Sequence, residues 1–148
     1  MRAKPTGKYR SKLEADVAKQ IKDAGVTFKY EIEEWEYDLK VPRAFCRECD
    51  STEVYTTRWY TPDFFLPNGV VIEAKGKLDR NVRKKMLAVK EAHPDKDLRF
   101  VFQRNNKIHK DSNTRYLDWA EQHGFPAVLL EIPDDWFTNT QEKDGENS

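Results

Sequence analysis

The sequence predicts an α/β fold: a central mixed β-sheet flanked by helices, in a single domain. Helix-period and strand-period segments succeed one another in the order α-β-β-β-α-β-α-β. Two strongly apolar strand segments, in "YTPDFFLPNGVVIEAKG" at residues 60–76, flank the turn signal Pro67-Asn68-Gly69. The chain is 148 residues long and has no internal repeats, which suits one domain with a real core.

Residues 1–9 (MRAKPTGKY) read as a flexible basic arm. Leu13, Val17, Ala18 and Ile21 recur at helical spacing, with Ser11 as N-cap and Gly25 as the stop. "VTFKYEIEEWEYDLKV" alternates, so one long strand or hairpin with one buried face is expected, ended by Pro42. Residues 43–59, with both cysteines, read as an irregular connection. "WYTPDFFLP" and "VVIEAK" are read as strands, and "DRNVRKKMLAVKEAH" as an amphipathic helix stopped by Pro94. "LRFVFQ" is a buried strand, "NTRYLDWAEQHG" a helix and "AVLLEI" a last short strand. The folded domain is therefore expected to span residues 10–137, followed by a disordered acidic tail at 138–148. Trp35, Trp119, Trp136, Phe28, Phe64, Phe65, Phe100 and Phe102 are expected in the core. Trp59 and Tyr60, beside the central strands, are the candidates for base stacking.

Charged residues make up 35% of the chain and its mean hydropathy is −0.90. No apolar run approaches the roughly 18 residues of a membrane helix, and no signal-peptide pattern opens the chain, so a cytoplasmic protein without a membrane partner is expected. The formal net charge of zero hides an asymmetry. Residues 131–148 hold six acids against one base, which leaves 25 bases and 20 acids in residues 1–130. The first twelve residues carry Arg2, Lys4, Lys8, Arg10 and Lys12 and no acid, a pattern compatible with a polyanionic partner.

Asp63 and Glu73 stand ten positions apart across the turn, so adjacent strands can bring both carboxylates to one edge. Glu73 and Lys75, at i and i+2 on a strand, share a face. Charges on such apolar strands cost free energy unless something pairs with them. Two hard oxygen donors and an ammonium describe a Mg²⁺ site, with Mn²⁺ as a substitute, suited to phosphodiester hydrolysis. The Ala74 carbonyl could add a third oxygen. Lys75 could orient or deprotonate the attacking water, or stabilise charge on the phosphorane. The alternative is a strand pair with an exposed salt bridge. Pro62-Asp63 followed by Glu73-Ala74-Lys75 is the PD…(D/E)xK pattern of restriction-endonuclease-like nucleases.

Beyond that motif, "YRSKLEADVAKQI", "GVTFKYEIEEWEY" and "YTPDFFLPNGVVIEAKG" occur in this order, followed by "KKMLAVKEAHPDKDLRFVF", "YLDWAEQHG" and "IPDDW". Together they resemble the bacteriophage endonuclease I family of Holliday-junction-resolving enzymes, from about Tyr9 to Trp136 with an interruption near the cysteines. The resemblance implies a restriction-endonuclease-like fold and adds Glu14 as a catalytic and metal-binding residue. Glu14 would form a second metal position with Asp63, beside the first at Asp63, Glu73 and the Ala74 carbonyl. It implies a domain-swapped homodimer in which residues 10–42 complete the partner's site through the 43–59 connection, so that Glu14 acts across chains. The substrate would be branched DNA, a four-way junction recognised by shape and cut by paired nicks, in the cytoplasm of a phage host. No small-molecule substrate is implied. Two rivals remain: another endonuclease of this fold that cuts ordinary duplex, and a non-catalytic DNA-binding module.

Three basic groups are candidates for phosphate contacts: Arg10, Lys8 and Lys12 in the arm; Arg80, Arg83, Lys84 and Lys85 on the helix after the central strand; and Arg104, Lys107 and Lys110 in the loop "QRNNKIHKDSNTR". Arg10 ranks first, because it matches the family's R-S-x-L-E motif. Cys46 and Cys49 have zinc-knuckle spacing, but a structural zinc needs four ligands. A Cys₄ zinc shared between two subunits is one reading; free thiols and a labile disulfide are the others.

Overall fold

The fold is that of a computed structural model, which describes residues 9–42 and 53–138. Residues 1–8 of the arm, Lys8 among them, Cys46 and Cys49 with the zinc expected there, and the tail from residue 139 lie outside the described residues.

Ser11 caps helix α1 (Lys12–Asp23), its hydroxyl accepting the Glu14 N–H at 3.1 Å. The apolar positions Leu13, Val17, Ala18 and Ile21 are all buried on one face. Gly25, at φ 77°, takes the left-handed turn that ends the helix. There follow β1 (Lys29–Tyr30), β2 (Trp35–Pro42), β3 (Glu53–Tyr60), β4 (Phe64–Phe65), β5 (Val70–Lys75), α2 (Arg80–Ala92), β6 (Asp97–Phe102), α3 (Tyr116–Gln122) and β7 (Ala127–Leu129). A single 3₁₀ turn, Asp134–Trp136, closes the described chain.

The main sheet has the spatial order β1-β4-β5-β6-β7; β5, β6 and β7 are parallel and β4 runs antiparallel to β1 and β5. This is the mixed sheet that the element order predicts. Helices α2 and α3 make the parallel connections, as a βαβ crossover requires. Two apolar layers cover the sheet. On one face α1 and Trp136 pack against Phe64, Val70, Ile72 and Val101. On the other, Met86, Val89, Trp119 and Ala120 from α2 and α3 meet Val71, Leu98, Phe100 and Phe102, joined by Trp35, Tyr37 and Tyr60 of β2 and β3.

Three expectations are corrected. The segment from Val26 to Val41 is neither one strand nor a hairpin: β1 belongs to the main sheet, while β2 pairs with β3. The apolar alternation shows why, since it runs through Phe28, Tyr30 and Ile32 and then resumes at Trp35, Tyr37 and Leu39, one residue out of phase. Glu31, at φ 53°, turns the chain out of the sheet there. Residues 53–59 are not irregular. They pair with β2 in the register Trp35↔Tyr60 through Pro42↔Glu53, supported by the β-branched and aromatic run Val54, Tyr55, Thr56, Thr57, Trp59 and Tyr60. "WYTPDFFLP" is likewise divided, because β3 ends at Tyr60 before Pro62 and β4 restarts in the other sheet.

Candidate active site

The site forms where β5 outruns β4. Phe64 pairs with Ile72 and Phe65 with Val71, so Glu73, Ala74 and Lys75 extend beyond the last paired residue of β4. Asp63, just before β4, covers this open edge and accepts the Ala74 N–H on Oδ2 at 3.0 Å. A strand residue's N–H and C=O point to the same side, so the Ala74 carbonyl also faces Asp63. Alternation along β5 puts Val70, Ile72 and Ala74 towards α1, and Val71, Glu73 and Lys75 towards α2 and β3. The centre thus lies between the two layers at the sheet edge.

Glu14, Asp63 and Glu73 are the buried charged residues of the described chain, at 7%, 3% and 5% exposure. Glu14 comes from the α1 layer, where Tyr30 donates its O–H to Glu14 Oε1 at 2.5 Å. Glu73 sits in the opposite layer and accepts the Tyr60 O–H on Oε1, also at 2.5 Å. The Lys75 ammonium lies 3.2 Å from Glu73 Oε2, and its side chain reaches partly into solvent.

A fourth acid, Glu31, was not legible in the sequence. Its backbone N–H donates to the Asp63 carbonyl at 2.9 Å, extending the β1–β4 register by one residue. Glu14, Glu31 and Asp63 each offer a carboxylate oxygen within 4.8 Å of the others. The signal for Glu31 is this register, which exists only once the two segments are known to pair.

Burial, followed by the charges of Glu73 and Glu14, pushes the Asp63 carboxyl up to about 9, against the Ala74 N–H and Lys75, which act in the other direction. Burial also raises Glu73, opposed by Lys75 and Tyr60. Tyr60 is raised well above the ordinary phenol value by burial and then by Glu73. Buried acids that repel one another, with hydrogen-bonded oxygens and few cations, fit a divalent metal, which would supply the missing positive charge.

The basic candidates separate. The Arg10 guanidinium pairs with Glu31, and its backbone N–H reaches Glu14 Oε1 at 3.3 Å, so it braces the acids. Arg83 turns inward, donating to the Leu78 and Ile108 carbonyls at 2.8 and 3.1 Å, and serves as an internal staple. Lys85 is drawn to the site, with its ammonium 5.0 Å from the centroid of the Tyr60 ring. Burial, and then Lys75, lower its pKa. Lys12, Arg80, Lys84, Arg104, Lys107 and Lys110 are exposed, with Lys12 3.5 Å from Asp16. Tyr60, at 2% exposure, is not available for base stacking, whereas Trp59 is exposed.

Buried carboxylates, an ammonium and an open edge are the equipment for metal-assisted attack by water on a phosphodiester. Comparison with known proteins agrees in chemistry. A family model described as phage endonuclease I matches residues 1–147. Endonuclease I of Escherichia phage T7 is 37% identical over 131 residues, covering 88% of this chain and 78% of that protein. Endodeoxyribonuclease 1 of Enterobacteria phage T3 is 40% identical over 126 residues, covering 84% and 74%.

Proposed function

The chain belongs to the phage endonuclease I family, and from that premise we propose a Mg²⁺-dependent, structure-selective DNA endonuclease that resolves four-way junctions by paired nicks. The observation that carries this reading is the convergence of Glu14, Asp63 and Glu73, all buried, with Lys75 on one open sheet edge.

Asp63, Glu73 and the Ala74 carbonyl would hold one cation and Glu14 with Asp63 a second, Mg²⁺ or in its place Mn²⁺, which would supply Lewis-acid stabilisation of phosphoryl charge and a more acidic water. The chain's own groups do the rest. Lys75 stands at the solvent side of Glu73, where its ammonium can orient the attacking water or neutralise a phosphate oxygen. Lys85 brings a second positive charge into the same neighbourhood. The Ala74 N–H fixes Asp63, and Arg10 braces Glu31. The exposed Lys12, Arg80, Lys84, Arg104, Lys107 and Lys110 are the phosphate contacts that track the DNA arms.

Two symmetric cuts call for two sites, which a homodimer supplies. In its swapped form, the residues 10–42 that here close on Asp63 of their own chain would instead complete the partner's centre, with Glu14 acting in trans, within a nuclease domain of residues 10–137. Cleavage of an end-labelled four-way junction and of a linear duplex made from one arm, both in Mg²⁺, tests the substrate. Paired nicks near the branch point with an intact duplex are expected. Equal cutting of both would contradict junction selectivity.

A further inference from the structure

In each of the three buried carboxylates one oxygen accepts a phenol or backbone hydrogen bond, and in Glu73 the other lies beside the Lys75 ammonium. Glu14 Oε1 accepts the Tyr30 O–H at 2.5 Å and the Arg10 N–H at 3.3 Å. Asp63 Oδ2 accepts the Ala74 N–H at 3.0 Å. Glu73 Oε1 accepts the Tyr60 O–H at 2.5 Å. The two phenols come from opposite layers, and ring packing holds each one. Tyr30 lies between Tyr9 and Phe64, with ring centroids at 5.0 and 5.4 Å. Tyr60 packs on Trp35 at 5.8 Å, with Lys85 over its ring.

We propose that Tyr30 and Tyr60 are positioning residues of the metal centre: each phenol ties up one oxygen of its glutamate and leaves a single oxygen for the cation. This rests on the reading of the site as a divalent-metal nuclease centre. Its consequence is selectivity. A carboxylate with one oxygen held by a short hydrogen bond coordinates through the other alone, which suits a small octahedral ion that keeps several waters. Ca²⁺ takes about six to eight oxygens and often both of a carboxylate, so it gains less from such donors. Glu73 Oε2, the oxygen that the phenol does not hold, lies 3.2 Å from the Lys75 ammonium, so a cation there would share it with Lys75.

The test is calorimetric titration of the metal-free full chain, without DNA, with Mn²⁺ and with Ca²⁺. The proteins are wild type, Tyr30→Phe, Tyr60→Phe and, as a control whose ring packs on Phe102 rather than bonding an acid, Tyr116→Phe. Each substitution removes one oxygen atom, and the two positions lie in different layers, so either variant can carry the result alone. Loss of a hydrogen bond that orients a ligand weakens metal affinity by roughly tenfold or more. That loss is expected for Mn²⁺ in Tyr30→Phe and Tyr60→Phe, with a smaller loss or a gain for Ca²⁺, while Tyr116→Phe changes neither. Equal changes for both ions would reduce the phenols to packing and overturn the proposal, as would no change at all. A wild type that binds neither ion would overturn the metal centre itself, and the proposed function with it.

Discussion

Asp63 shows at residue scale how the site trades stability for chemistry. Burial, with the charges of Glu73 and Glu14, pushes its carboxyl up to about 9, far above the roughly 3.9 of an unfolded aspartate. Between those values the folded chain holds a proton that the unfolded chain has released, so metal-free stability falls as pH rises from about 4 towards 9. Thermal melting of the metal-free protein should show this fall, and Asp63→Asn should lessen it and melt higher at pH 8, with the raised Glu73 leaving part of it. A protonated Asp63 at pH 7 must also give up its proton when a cation binds. Calorimetry in buffers of different ionisation enthalpy should therefore detect proton release that Asp63→Asn reduces. Asp63, Glu73 and Lys75 were legible because their relation is local, a turn apart and i to i+2. Glu14 became legible only through the family motif. Glu31 and the hydroxyl of Tyr30 were not, because their place depends on β1 pairing with β4, a contact between segments far apart in sequence.

Among the elements, helix α2 divides the work that the sequence assigned to it as a whole. Its basic residues were expected to face DNA together, but a helix shows each residue to a different side. Arg83→Ala should destabilise the protein by about 2 kcal/mol, since two partly buried carbonyls lose a charged donor. Lys84→Ala should leave the melting temperature unchanged and lower the salt slope of junction binding by about 0.9, the share of one phosphate contact. Denaturant unfolding and salt-titrated binding separate the two effects. The helices were legible because their periods are unbroken, and β5 and β6 because each is a nearly continuous buried run. The β2–β3 pair was misjudged because its outer face, with Asp38, Tyr55, Thr57 and Trp59, is exposed and lacks a buried apolar run.

For the whole molecule, the proposed swapped dimer makes a prediction that composition cannot. Glu14→Gln and Asp63→Asn chains, each inactive, are unfolded together and refolded. In a swapped heterodimer one site receives both wild-type carboxylates, so nicking of a junction should return; in an unswapped dimer every site keeps one lesion and none should. The central claim, that the buried acids and Lys75 form a metal-dependent hydrolytic centre, is tested most directly by single-turnover cleavage of a four-way junction in Mg²⁺ by wild type and by Lys75→Ala. Wild type should nick the junction near its branch point and stop when the metal is chelated, while folded Lys75→Ala binds the junction and leaves it intact. A Lys75→Ala protein that cuts at the wild-type rate, or a folded wild type that cuts nothing in Mg²⁺ or Mn²⁺, would contradict it.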